Sequence, residues 1–181
     1  MVIDLRILIM FTRTKKLDST CHKQPRPTVL LSVANNIMPL SWHMPVSKSP
    51  LRYAICLRDE NKSYDLLHIN EQFALNFLDF SYLEAFEKSG SEHGGDKFKL
   101  TNLTPKKAQT INATLIEEAY MIYECKVIDI LNYGDHDVFI SEITLIHSKD
   151  VKDVKPTLFT GEGYYETTSL NPQRVLRVED V

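Results

Sequence analysis

No CxxC pair, no GxGxxG behind a strand, no GxxxxGKS or GxxxxGKT, no HExxH and no GxSxG occurs in these 181 residues. Each absence removes a chemistry. Without a glycine-rich turn opening a helix, a doubly wound dinucleotide domain and a P-loop are disfavoured. The lone Gly161-Glu162-Gly163 leads into tyrosines and reads as a turn. The histidines (22, 43, 68, 93, 136 and 147) have no metal-ligand spacing, so a local zinc site lacks support. Without a nucleophile elbow, the same holds for an α/β-hydrolase serine. Cysteine is scarce: Cys21, Cys56 and Cys125 are odd in number and unpaired in spacing. That argues against a disulfide framework and for a reducing cytoplasm. An excess of charge is also missing. The formal net charge is -3, so no basic face for nucleic acid is implied. Long apolar runs are missing too. Met1 to Phe11 carries Asp4 and Arg6 and is too short to cross a bilayer. Its basic cluster (Arg13, Lys15, Lys16) follows the apolar stretch, the wrong order for a secretory signal. No membrane partner is expected. An edge strand, or a helix docked on a partner subunit, would suit that segment.

What is present is an ordinary globular balance, 43% hydrophobic and 25% charged, enough for one well-buried core. β-branched and apolar runs of strand length cover 28–34, 51–57 and 73–78. Ser63 is placed to cap a helix bearing Leu66, Leu67 and Ile69. Tyr82, Leu83 and Phe86 give 81–88 helical spacing. Residues 89–95 read as a flexible connection, and Pro105 as the opening of a helical turn. The clearest element is a hairpin: 119–131 pairs with 138–146 across a polar turn, 132–137. On its first strand Met121, Tyr123, Cys125 and Val127 share one face. The opposite face, with Tyr120, Ile122, Glu124 and Lys126, is mixed enough to be partly covered as well. Many strands with short helices inserted predict a mainly β fold, a small barrel with helical decorations.

The most telling stretch is the loop Asn35 to Pro50, which holds the single tryptophan, Trp42, beside His43. A flat apolar wall, amides, hydroxyls and phosphate donors are what a flavin needs. Trp42 supplies a wall, Asn36 and loop amides a polar edge, and Ser47 a small donor. Taken alone, Trp42 reads first as the anchor of a surface loop to the core. Lys62-Ser63-Tyr64, His93 to Phe98 (HGGDKF), Glu124-Cys125 and Gly134-Asp135-His136 follow in order.

Together these motifs resemble the flavin reductase-like family of FMN-binding split barrels, which includes flavoredoxin. The resemblance runs from about Pro25 to Tyr165. It implies a six-stranded Greek-key split β-barrel over 25–165, with an N-terminal extension (1–24) and a C-terminal tail (166–181). It implies a homodimer binding FMN near the subunit interface. Carried over by position, Asn36 and Trp42 lie against the ring, with Leu40, Ser41 and His43 as their neighbours. Ser63 stands near the phosphate with Lys62 before it. Lys97 matches a pocket lysine, although as a sequence feature it reads equally as a solvated side chain. His136 matches a site histidine that donates to flavin or nicotinamide; a structural role in the hairpin is the alternative. Tyr164 falls where the family often has an aromatic residue. The implied activity is transfer of electrons from NADH or NADPH through FMN to free flavin or a redox partner protein. A flavoredoxin-type relay without its own NAD(P)H turnover and a non-catalytic split barrel are the other readings. No side chain is assigned as acid or base.

Overall fold

A computed structural model describes residues 24–91, 95–161 and 163–168. The N-terminal segment up to residue 23, with Cys21 and His22, lies outside the described residues, as do His93 and the tail from residue 169.

Seven strands form one sheet in the order β3-β2-β6-β9-β10-β5-β4. They are β2 (Val29–Val33), β3 (Asn36–Leu40), β4 (His43–Lys48), β5 (Leu51–Arg58), β6 (Gln72–Phe77), β9 (Met121–Asn132) and β10 (His136–Ser148). The expected barrel strands thus number seven rather than six. The two edge strands, β3 and β4, are consecutive in the chain and separated only by Ser41 and Trp42. From Leu40 to His43 the backbone reaches at most about 11 Å. The sheet must therefore curl until its edges nearly meet, which is what a split barrel is.

All five residues of β2 are buried, because both faces of the sheet are covered here. Val29, Leu31 and Val33 point into the barrel with Leu57, Phe73, Leu75, Cys125 and Phe139. Leu30 points the other way, toward Phe86, Phe98, Leu115 and Ile122. A period of two divides one apolar run between two cores. The same division explains the mixed alternation of β9: Tyr123, Cys125 and Val127 face the barrel and Ile122 the outer layer.

The outer layer is built from α2 (Leu83–Ser91), α3 (Lys97–Thr101) and the short pair β7 (Pro105–Lys107) and β8 (Thr114–Ile116). Helix α1 (Lys62–Asn70) follows β5 and packs through buried Leu67. Strands β1 (Arg26–Pro27), β11 (Leu158–Gly161) and β12 (Tyr164–Glu166) make a separate small sheet. Among the described residues no helix is long and apolar enough to cross a membrane.

Five local expectations need correction. Residues 35–50 are not a loop: they contain β3 and β4, with a turn between β2 and β3. Helix α1 starts one residue before Ser63. The cap position is Asn61, which makes no side-chain capping bond, and Ser63 is inside the first turn. Pro105 opens strand β7, not a helical turn. The 89–95 connection is shorter than expected: α2 extends to Ser91 and α3 begins at Lys97. His136 likewise belongs to β10 and not to the hairpin turn.

Candidate functional site

The start of α1 faces β3 across a cavity of ≈ 350 Å³. Four of the expected residues meet there: Asn36, Lys62, Ser63 and Lys97. Asn36 is the first residue of β3, and its Nδ2 donates to Ser63 Oγ at 2.8 Å. Ser63 is fully buried. Since its oxygen accepts that bond, its own proton remains available. Lys62 and Ser63 occupy the first two helical positions, whose amides have no intrahelical acceptor. Tyr64, the next residue, already donates its amide to Asn61 O at 2.8 Å.

Lys97 does not project into solvent. It is 8% exposed, and Nζ donates to Ile37 O at 2.9 Å and Ser89 O at 2.7 Å. The ammonium thus joins α3, α2 and β3 at the cavity wall. Gly90, on the same wall, is there for space: a Cβ would come within 3.0 Å of Pro39 Cγ. Glu60 also lines the cavity, and Arg58 holds it through an ion pair at 3.0 Å.

Trp42 and His136 form a second group. They do not line the cavity; they stack on each other with ring centroids 4.5 Å apart. Trp42 sits at the crossing between the sheet edges, and His136 pairs in register with Arg58, two residues before Glu60. The two groups are close in the chain. Trp42 is three residues beyond the cavity residue Pro39, a reach of at most about 11 Å. His136 Nδ1 lies 2.8 Å from Asp135 Oδ1. The Arg26 guanidinium lies over the Trp42 ring at 6.0 Å, and its Nε is buried with no hydrogen-bond partner.

The remaining expected residues lie outside the cavity lining. His43 Nε2 is 3.1 Å from Pro27 O and Nδ1 is 2.8 Å from Tyr53 Oη. A carbonyl only accepts, so Nε2 carries the proton and Nδ1 accepts from the tyrosine. Burial pushes this imidazole below its ordinary value, against the Pro27 bond, and both its nitrogens are engaged. Ser41 Oγ bonds Thr28 Oγ1 at 2.8 Å. With His43 it fastens the crossing segment to the residues around β1. Leu40 is buried in the barrel core. Ser47 pairs with Arg52 in the β4–β5 ladder. Tyr164 is largely exposed on β12 and lines none of these walls.

Sequence reasoning missed Gly90 and Ser89 as wall residues, Arg26 beside Trp42, and Asp137. Asp137 is charged and yet buried within a strand, but that burial becomes visible only once β10 is paired.

The family described as the flavin reductase like domain matches residues 21–168. An uncharacterized protein of Aeropyrum pernix is 28% identical over 127 residues, 68% of this chain and 48% of its own length. The chain therefore spans about half the length of that relative. An uncharacterized protein of Archaeoglobus fulgidus is 25% identical over 126 residues, 68% of this chain and 71% of its own. Among solved structures, an FMN-binding protein from Thermus thermophilus superposes with a TM-score of 0.80 at 19% identity, covering 91% of this chain and 98% of its own. The NADH:FAD oxidoreductase of Streptomyces globisporus C-1027 gives 0.78 at 20% identity, covering 88% and 98%.

Proposed function

This chain belongs to the flavin reductase-like family, and on that premise we propose that it is an FMN-binding oxidoreductase that moves electrons from NADH or NADPH to free flavin or a partner protein. The observation that carries the reading is the cavity at the start of α1. It brings a lysine side chain, two free helix amides and a hydroxyl to one place. That is the donor set a phosphate monoester asks for, and the helix dipole favours its charge. A volume of ≈ 350 Å³ is at the small end for a cofactor site. It suits the ribityl phosphate, with the ring directed along β3 toward Trp42.

FMN, when bound, supplies the redox chemistry, and the protein orients it and tunes its electronics. Lys62 and the amides of Lys62 and Ser63 would hold the phosphate. Asn36 donates to Ser63 Oγ and so leaves the hydroxyl proton available to the phosphate. Lys97 keeps the wall rigid through the carbonyls of Ile37 and Ser89. The Trp42–His136 pair offers an aromatic face, and the unpartnered Nε of Arg26 a donor beside it. The names carried by structural relatives, an FMN-binding protein and an NADH:FAD oxidoreductase, agree with this chemistry.

A homodimer is part of the same reading. Met44 and Val46, 60% and 49% exposed, continue along β4 from Trp42. They give a second copy an apolar stripe next to the aromatic face.

The test is a titration of the purified protein with FMN, followed by quenching of flavin fluorescence. Saturable quenching is expected. Lys62→Ala should weaken it about tenfold, the scale of one charge-assisted contact. Trp42→Ala should weaken it without lowering the cooperativity of unfolding. Absence of quenching by the wild type would overturn the reading. Anaerobic addition of NADH and of NADPH should then bleach the bound flavin. If neither does, the oxidoreductase half fails and a flavin-binding relay is left.

A further inference from the structure

Asp137 lines neither the cavity nor the aromatic face, yet three side chains from α1 and β9 converge on it. It is the second residue of β10, directly after His136, and it is 5% exposed. Tyr64 Oη donates to its Oδ2 at 2.7 Å, and His68 Nε2 lies 2.9 Å from the same oxygen. Asn132 Nδ2, at the end of β9, donates to Oδ1 at 2.7 Å. An ionised carboxylate only accepts, so all three neighbours are donors and His68 carries a proton on Nε2. Tyr64's bond first, then those of Asn132 and His68, hold this acid below the ordinary carboxylate range against burial.

Tyr64 and His68 are four residues apart and therefore on one face of α1. Their rings meet edge-on at 4.5 Å, and both pack on Phe139. Helix α1 is thus gripped at two points one turn apart, by a residue fixed in the sheet. One grip on a helix still allows rotation about the contact. Two grips one turn apart fix both rotation and height. The consequence falls on the neighbours: Tyr64 directly follows Lys62 and Ser63, the cavity residues of the first turn. A rotation of α1 by one residue position, about 100°, would turn both away from the cavity. The hydroxyl of Tyr64 thus sets the direction in which the phosphate donors point.

We propose that Asp137 is a positioning residue that makes this site select a phosphorylated flavin over one ending in a free hydroxyl. The inference rests on the flavin reading above and deepens it. Asp137 touches no ligand itself; it acts through Tyr64 and His68 on the first turn of α1.

The experiment compares FMN with riboflavin, which carries the same ring and no phosphate, by fluorescence quenching on the same preparations. Wild type should prefer FMN. In Tyr64→Phe, which removes one oxygen, FMN affinity should fall about tenfold while riboflavin affinity stays within about twofold. Asp137→Ala should behave alike. His68→Gln, whose amide retains a donor, should keep most of the preference. A loss of folded protein scales both affinities equally and leaves their ratio unchanged, so the ratio separates positioning from general destabilisation. Should Asp137→Ala not fold, Tyr64→Phe decides the matter alone. A wild-type preference for FMN that persists unchanged in Tyr64→Phe overturns the role of Asp137 and leaves the flavin reading standing. Wild type that quenches neither flavin overturns the flavin reading and this inference with it.

Discussion

A buried ammonium is costly unless its donors are used, and Lys97 uses them on main-chain carbonyls. Its bonds to Ile37 O and Ser89 O join β3 to the C-terminal part of α2. Lys97→Met keeps most of the stem and leaves those carbonyls without this donor. We expect a loss of about 3 kcal/mol in unfolding free energy, the sum of two charge-assisted bonds and the desolvation left behind. Urea denaturation checks it; a change below about 0.5 kcal/mol would show that water replaces the ammonium at no cost. At this scale the sequence was only partly legible. A lysine next to Gly95 and Asp96 looks solvated, and only the packing of α3 shows it buried. The Asn36–Ser63 bond spans 27 residues and the Tyr64–Asp137 bond 73. No local pattern encodes such pairs, because local spacing constrains only neighbours on one element.

Elements were legible where an apolar run of strand length marks them. Strands β2, β5, β6 and the β9–β10 hairpin announce themselves by apolar runs, and the structure has them within a few residues. Strands β3 and β4 did not, because Pro39 and Pro45 interrupt them. The topology supplies the reason. Both are edge strands, where a missing N–H costs no ladder bond. Helix α3 spans only Lys97–Thr101 and cannot show a helical period. Glu124 shows a different kind of element joint. It is fully buried on β9 and accepts from Gln109 N, Thr110 N, Thr110 Oγ1 and His147 Nε2. It thereby stands in for the strand partner that the 109–110 segment lacks. Burial raises this carboxyl, but the bonds from Thr110, Gln109 and His147 outweigh it and leave the group below its ordinary value. A carboxyl depressed in the folded state stabilises fully above the unfolded value of about 4.3, and that stability is lost as pH falls through the lower folded value. Glu124→Gln should therefore lower stability by about 2 kcal/mol at neutral pH. It should also flatten the fall of the urea midpoint below about pH 5 relative to wild type. An unchanged slope would assign the acid sensitivity to other carboxyls, such as Asp79, which is also held low.

For the whole molecule, the question is what a split barrel does with its split. The edges β3 and β4 are joined by Ser41 and Trp42, so the aromatic face lies at the opening and not inside the barrel. Beyond it, Met44 and Val46 leave apolar surface on an edge strand, a feature that single-chain proteins generally blunt with charge. A second copy placed against this stripe would cover it and shield the Trp42–His136 pair from water together. The proposed dimer and the proposed flavin site are then one construction, and one substitution should disturb both. Met44→Glu places a charge on the stripe without touching the cavity residues. It should convert the sedimenting species from dimer to monomer at micromolar concentration, because a desolvated unpaired charge outweighs one apolar contact. FMN quenching should weaken in the same variant, while Lys62→Ala should weaken FMN binding and leave the dimer intact. A Met44→Glu protein that sediments as wild type, or a monomer with undiminished FMN affinity, would separate the two. The aromatic face would then work within one chain alone.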